Sequence, residues 1–395
     1  MIISMTACPT PSELILRAAS RFKSLSYLEN GVPAGWNGPH HDPQTPLRNS
    51  AHWVIILLRA AELSGDSWFR EAARTLTERI LSDSSFAEGR VPVARQKLSK
   101  DTVNGVIGVA WIVEGLVEAG NKLGWSEPLD AAVKLCKYFP YNAELGAWNV
   151  REHDGTLRGI DSTLNHQIWY AMARAMCVPH APYLADELRQ FLATLDRHCR
   201  LNGEQMVTHM LSFPLTTKLG LISRAESIVR IIDPWIGNQL LRKAPIYKRL
   251  HSLAKYHAAK EAGYIIFTLH GLARIKALGW DLGRVDAVSR EAFARSVKPD
   301  FMAALKRNTW SYGYNPPGFE VMEVFRQFGD GSALERAAVA EHYRTQLDMT
   351  YTDGGAFIGI ADPETAEARL YPLALLSNEN FSAFERIVAD GGPAR

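Results

Sequence analysis

An excess of either charge is missing. Across 395 residues, 44 Lys and Arg balance 42 Asp and Glu. Nucleic-acid binders usually show a basic excess or stripe, so that class is not expected. Cysteine is scarce: Cys8, Cys136, Cys177 and Cys199 are scattered and form no CxxC pair. That pattern suits free thiols in a reducing compartment, not a disulfide frame or a zinc site. No run of eighteen apolar residues occurs, so no membrane span is expected. The opening Met1-Ile2-Ile3-Ser4-Met5-Thr6-Ala7-Cys8 is too short for a secretion signal and lacks its basic start. The expected location is therefore cytoplasmic, with export by another route left open. A P-loop, a paired-glycine nucleotide fingerprint and a GxSxG elbow are all absent. So are the DxDD and DDxxD clusters of terpene chemistry.

What is present is apolar, aromatic and helical. Hydrophobic residues make up 47% of the chain, enough for a sizeable core. The segment from His52 to Leu63 is apolar nearly all round, as a buried helix is, and Asp66 to Leu81 is amphipathic. The alternation continues through Asn104–Ala119, Asp130–Tyr138 (with Ser126 as a candidate N-cap), Asn165–Cys177 and Tyr183–His198. It then runs through Leu219–Leu241, Tyr247–Ala259, Tyr264–Leu278, Ala287–Arg307, Ala333–Gln346 and Leu370–Ser377. Strand signals are thin: one hairpin turning at Asp154-Gly155, and short strands flanking Tyr351 to Ile360. Inner helices that touch neighbours on every side and outer helices that face water describe a ring of helical hairpins. The expected fold is all-α, an (α/α)n toroid of six hairpins with a few short β-hairpins in its loops. No linker divides the chain, so one domain over 1–395 is expected, with 1–10 and 390–395 frayed.

In such a ring, the loops at one end surround a cavity, and polar residues just before an inner helix point into it. Arg48 and Asn49 precede His52, Asp101 and Asn104 precede Trp111, Asp161 precedes Asn165-His166, and Glu261 precedes Tyr264. Ten Trp, thirteen Tyr and fifteen Phe accompany them. Flat rings beside polar groups, as in His52-Trp53, Trp169-Tyr170 and Tyr312-Gly313-Tyr314-Asn315, suit pyranose sugars; large core residues give the same pattern. Residues 310–320, with Pro316-Pro317 at their centre, read as a rigid loop facing substrate or as a packed lid. Asp353-Gly354-Gly355 reads as a loop over the pocket or a turn.

The segment Asn165-His166-Gln167-Ile168-Trp169 resembles the Asn-Asn-His-x-x-Trp segment of the α/α-toroid polysaccharide lyases, such as the alginate lyases. Leu164 stands where the first Asn would be. Gly263-Tyr264, with Phe267 three and Leu269 five residues after the tyrosine, resembles the later helix that a catalytic Tyr opens in those lyases, with Ile265 in place of the usual His. The resemblance implies β-elimination on a uronate-bearing glycan without metal or other cofactor. In that reading Asn165 neutralises the carboxylate, His166 is the base, Tyr264 an acid or base, and Arg48 a holder of the carboxylate. Arg48, Asn49, His52, Trp53, Asn104, Trp169, Tyr312, Tyr314, Asn315 and Asp353 are the substrate-binding candidates. A hydrogen-bonded core histidine and a capping asparagine would account for the same central pair.

Two alternatives remain at this stage. One is a glycoside hydrolase using two carboxylates, for which Asp101, Asp161, Glu261, Glu320 and Asp353 are candidates, although none forms an evident pair. The other is a non-catalytic protein of glycan binding or polysaccharide assembly. His40-His41-Asp42 lacks a third ligand at a recognisable spacing, so no metal is expected. The basic stretch from Lys243 to Lys260 reads as a solvated helix face. The expected partner is an oligosaccharide or polysaccharide; nothing in the sequence fixes the oligomeric state.

Overall fold

The structure is a computed structural model that describes residues 8–97, 99–212, 245–352, 355–358 and 360–390. The helix expected over Leu219–Leu241 and the candidate Asp353 lie outside the described residues. The principal helices are α1 (Pro11–Ser24), α2 (Leu47–Ser64), α3 (Ser67–Leu81), α4 (Ile107–Leu123), α5 (Ser126–Leu135), α6 (Leu164–Cys177) and α7 (Ala185–His198). They continue as α8 (Pro245–Gly263), α9 (Ile265–Ala277), α10 (Val285–Ser296), α11 (Pro317–Phe328), α12 (Ala333–Thr350), α13 (Tyr371–Ala374) and α14 (Asn378–Asp390).

The helices close into a ring. α2 packs on α4, α4 on α6, α6 on α9, α9 on α11, α11 on α13, and α13 returns to α2. Each of these six inner helices is followed by an outer one: α3, α5, α7, α10, α12 and α14. This is the (α/α)6 toroid that the alternation of apolar and amphipathic helices implies. Every residue of α2 from Arg48 to Ala60 is buried, whereas α3 buries only the face carrying Phe69, Ala72, Ala73, Leu76, Thr77 and Ile80. The chain turns between them at Gly65, whose φ of 72° is the left-handed conformation that ends helices most cheaply at glycine. Asp66 then caps α3 through the Trp68 N–H.

Three expectations need correction. Ser126 is the first residue of α5 and caps nothing. The stretch Ala287–Arg307 is two helices, interrupted at Val297-Lys298, because the residue before Pro299 is driven to extended backbone. Residues 310–320 are only half a loop: Pro317 opens α11, since a proline in the first turn sacrifices no helical hydrogen bond.

The strands form one antiparallel sheet, β1 (Tyr141–Asn142), β2 (Ala147–Arg151) and β3 (Leu157–Ile160), with Asn149 opposite Ile160 and a register shift at Val150/Arg151. Its β2–β3 turn runs through Asp154-Gly155, and β3 delivers the chain to the start of α6. Near the C-terminus a single antiparallel bridge joins Tyr351 and Phe357.

Inner helices approach closely where a side chain is absent. A Cβ on Gly115 of α4 would lie 2.7 Å from the backbone oxygen of Ala51 on α2. Gly115→Ala should therefore lower stability by about 1–3 kcal/mol, the usual cost of overpacking. That cost outweighs the ~1 kcal/mol gain in helix propensity. The shift of the urea midpoint at unchanged slope measures it.

The ring also holds buried ionisable groups that make no hydrogen bond among the described residues. Both carboxyl oxygens of Glu114 on α4 are buried without a hydrogen bond, and Arg274 Nη1 stands 3.7 Å away. Burial pushes the Glu114 carboxyl up to about 8, against the pull of Arg274. The folded state thus holds this proton more tightly than the unfolded chain, whose glutamate titrates near ~4.3. The contribution to stability is full below that value and declines as pH rises toward 8. Glu114→Gln should match the wild type in melting temperature at pH 4 and exceed it increasingly up to pH 9.

Candidate active site

At the end of the ring where the inner helices begin, loops and helix N-termini enclose a cavity of about 450 Å³. The segments that precede α2, α4, α6, α9, α11 and α13 all reach it. His40 and Asp42 come from the first, Asn104 and Gly105 from the second, and Asp161 and Thr163 from the third. Lys260 and Tyr264, then Tyr314 and Asn315, and finally Arg369 complete the circuit.

The first turn of α6 places a proton-transfer group on this wall. His166 is about a quarter exposed, and its Nδ1 lies 2.8 Å from Asp161 Oδ2. Asp161 is almost wholly buried, and its two oxygens also accept N–H bonds from Val106 (3.0 Å) and Thr163 (3.1 Å). Burial pushes the Asp161 carboxyl up, but the His166 imidazole and the two backbone donors outweigh it and hold the group below the ordinary carboxylate value. An ionised Asp161 requires the proton on Nδ1, which leaves the Nε2 lone pair of His166 free to act as a base. Next to it, both side-chain polar atoms of Asn165 are buried and make no hydrogen bond among the described residues.

Tyr264 supplies a second proton-transfer group, a hydroxyl. It sits at the N-terminus of α9, with its hydroxyl 3.4 Å from His40 Nε2. Burial, reinforced by Tyr314, raises the Tyr264 phenol well above its usual range, so it keeps its proton. Burial, with Lys260 and Lys100 nearby, pushes His40 down to about 3, so its ring is neutral and able to accept. His209 on the same wall is likewise held well below its ordinary value, first by burial and then by Lys260.

The acids that line the cavity are already engaged. Asp42 pairs with Arg95 at 3.3 Å, Lys97 at 2.7 Å and Lys100 at 2.6 Å. Asp101 pairs with Arg95 and accepts the Gly105 N–H at 2.7 Å. Of the other acids considered from the sequence, Glu261 accepts from Asn202, and Glu320 is buried in α11 away from the cavity.

The structure divides the sequence candidates. Asn104, Asn165, His166, Tyr264, Tyr314 and Asn315 line the cavity; Arg48, Asn49, His52, Trp53, Trp169 and Tyr312 do not. Arg48 is drawn away by Asp362 (3.6 Å) and Thr365 (2.9 Å), so it is not available to hold a substrate carboxylate. Asn49 donates to the Pro33 carbonyl, and His52 stacks on Tyr371 at 3.8 Å. Trp53 packs on Phe22, Trp169 stacks on Phe267, and the Tyr312 hydroxyl is 2.7 Å from His342 Nδ1. These six are interior residues because their aromatic or polar parts find partners inside the ring. Six wall residues that matter were not among the candidates: His40, Arg95, Trp111, His209, Lys260 and Arg369. Arg369 carried the same signal as the others, a polar residue just before an inner helix. Lys260, read as part of a solvated face, is buried and turned into the cavity.

The wall thus joins a histidine–aspartate pair, a protonated tyrosine and five cationic side chains. No protein-family model matches the chain. It is 30% identical over 373 residues to archaeal glycosylation protein Q of Haloferax volcanii, an alignment covering 93% of this chain and 97% of that protein. The chain belongs to the family of archaeal glycosylation protein Q. The fold is shared more widely, with carbohydrate-active α/α toroids. The α-1,6-mannanase GH76A of Salegentibacter sp. HEL1_6 superposes with a TM-score of 0.53 at 11% identity, over 95% of this chain and 99% of that one. An unsaturated glucuronyl hydrolase specific for heparin superposes with a TM-score of 0.57 at 13% identity, over 95% and 97%. An inactive variant of the mannanase, with two consecutive aspartates replaced, is described in complex with α-1,6-mannotetrose (TM-score 0.55, 10% identity, 96% and 100% covered). Among the described residues, no helix is long and apolar enough to cross a membrane.

Proposed function

We propose that this member of the glycosylation-protein family acts on a uronate-bearing oligosaccharide in the cavity and cleaves it by β-elimination. The observation that carries the reading is the His166–Asp161 pair, with a free imidazole nitrogen beside the unbonded Asn165 amide. Proton removal α to a carboxylate needs a base poised near neutral pH and donors for the negative charge that builds on the carboxylate. In this reading Nε2 of His166 takes the C5 proton, and the Asn165 N–H donates to the carboxylate as charge grows there. The C5 electrons form the C4–C5 double bond, the C4–O4 bond breaks, and the Tyr264 hydroxyl gives its proton to O4. Exchange with water then resets both side chains.

Hydrolysis is the second reading, because the similar solved structures include a mannanase and a glucuronyl hydrolase. Against a two-carboxylate mechanism, Asp42, Asp101 and Asp161 are each tied to cations or backbone donors, and Asp42 and Asp161 are held below the ordinary carboxylate value, whereas a general acid must keep its proton. The sequence also has no two consecutive aspartates, the pair replaced in the inactive mannanase variant.

Incubation with a panel of glucuronate-, mannuronate- and galacturonate-containing oligosaccharides separates the readings. Elimination yields an unsaturated uronate that absorbs at the short-wavelength edge of the ultraviolet. New reducing ends without that absorbance would replace elimination with hydrolysis, and binding without any cleavage would leave a glycan-binding protein.

A further inference from the structure

Resting on the reading that the substrate is a sugar acid, we propose that Arg369, Trp111 and Asn165 form the carboxylate-recognition floor of the cavity. All three line it, and all three are at least nine-tenths buried. Each has an N–H group without a hydrogen-bond partner among the described residues: Nη2 of Arg369, Nε1 of Trp111 and Nδ2 of Asn165. Buried donors are normally bonded, and leaving one unbonded costs about 1–3 kcal/mol. Three unbonded donors on one cavity suit a ligand that supplies acceptors and negative charge.

The distribution of charge points the same way. Five cationic side chains line the cavity: Arg95, Lys100, Arg158, Lys260 and Arg369. The first three are paired, with Asp42, Asp101 or Glu152. Lys260 and Arg369 have no ion pair among the described residues. Both rest against one aromatic cluster: Lys260 Nζ is 4.9 Å from the Trp310 ring, and the Arg369 guanidinium is 5.0 Å from that of Tyr314. The two rings are themselves 6.1 Å apart. Burial, with Lys100 nearby, pushes Lys260 down to about 8 against the pull of Asp42, as expected of a buried cation without a close ion pair. A carboxylate on the floor would meet three donors and two cations without displacing a carboxylate of the protein. Arg369 offers the planar fork that matches a carboxylate.

The test is binding, measured by calorimetry on the full chain with the methyl glycoside of glucuronic acid, which has no sugar at O4 to eliminate. Its methyl ester and methyl glucoside 6-phosphate are the comparison ligands. The wild type should bind the acid roughly 10²-fold more tightly than the ester. Trp111→Phe removes the indole N–H together with the pyrrole half of the ring system and keeps one aromatic ring. It should lower affinity for the acid by roughly 10-fold and leave the ester unchanged, the scale of one hydrogen bond to a charged group. Arg369→Lys retains charge but loses the fork and should cost a similar factor. Melting temperatures of both variants without ligand verify folding. Equal binding of acid and ester would overturn the proposal. So would an acid preference that survives both substitutions, and tighter binding of the phosphate would overturn the choice of carboxylate. An acid preference that persists while no unsaturated product forms from any oligosaccharide would keep the floor and discard β-elimination.

Discussion

Asp161→Asn should reduce turnover on the cleaved oligosaccharide on the order of 10⁴-fold, the loss seen when a carboxylate that fixes a catalytic imidazole becomes an amide. The residue touches no substrate in this arrangement; it positions His166. An ionised Asp161 accepts from Nδ1–H and so selects, for the neutral imidazole, the tautomer whose Nε2 carries the lone pair. An asparagine amide in the same place can donate to Nδ1, which stabilises the tautomer with its proton on Nε2 and removes the base. A merely structural aspartate would lower stability and leave the pH dependence of turnover in place. Loss of the positioned base predicts instead that the limb of the pH–rate profile reporting imidazole ionisation shifts or disappears, while KM changes little. Stability gives a second readout. The folded Asp161 carboxyl lies below its ordinary value, so its contribution is present above the unfolded value of about 3.9 and is lost as pH falls through the folded one. The variant should melt below the wild type at pH 7, and the gap should close on acidification below pH 4. Undiminished turnover in Asp161→Asn would remove the pair from the chemistry.

The ring was legible because burial writes itself into composition. An inner helix such as α4 touches neighbours all round, and its sequence from Ile107 to Leu123 carries only three charged residues, Glu114, Glu118 and Lys122. The outer α3 alternates charged and apolar faces, so the pairing of the two kinds reads as a hairpin. Three of the principal helices escaped: α1, α11 and α14, the last an amphipathic segment that buries Phe381, Phe384 and Val388. In α11, Pro316-Pro317 and a dense run of aromatics suggest a rigid loop, although proline at the first position opens helices readily. In α1, the capping box of Thr10 and Glu13 was a usable local signal. The candidate site was legible only where one segment carries it: Asn165 and His166 sit together at the start of α6, Tyr264 opens α9, and all three line the cavity. Asp161 was visible as an acid before a helix, but nothing in its spacing distinguishes a cap from the partner of His166. That relation depends on a turn between β3 and α6. Arg48 shows the converse. Its placement before α2 predicts a cavity residue, yet Asp362 and Thr365, more than three hundred positions away, bind its guanidinium. Lys260 belongs to a basic run that resembles a solvated face, and only the ring geometry turns it inward beside Trp310.

Tyr264→Phe should lower turnover by roughly 10²–10⁴-fold, the range for one general acid–base group, with folding intact. The substitution keeps the ring, whose neighbours are Phe267, Trp310, Tyr314 and His209, and removes the hydroxyl alone. Burial and Tyr314 hold the phenol well above its usual range, so at neutral pH the group is a donor and not a base. His40, with its ring neutral down to about pH 3, can orient that hydroxyl without competing for the proton of the reaction. In the proposed elimination the acid is Tyr264 and the base His166, and that division of roles has a consequence that a packing role lacks. A substrate whose C4 oxygen carries a nitrophenyl group leaves as a stable anion and needs no proton. On that substrate Tyr264→Phe should regain most of the wild-type rate, whereas Asp161→Asn, which impairs proton removal at C5, should stay slow. If the hydroxyl only fills space, its loss costs about 1 kcal/mol or less of net stability, and both substrates turn over as in the wild type. Rates on the two substrates, with melting temperatures recorded alongside, decide the matter. Full activity in Tyr264→Phe would take the residue out of the mechanism, and an equal loss on both substrates would assign it to binding instead of proton delivery.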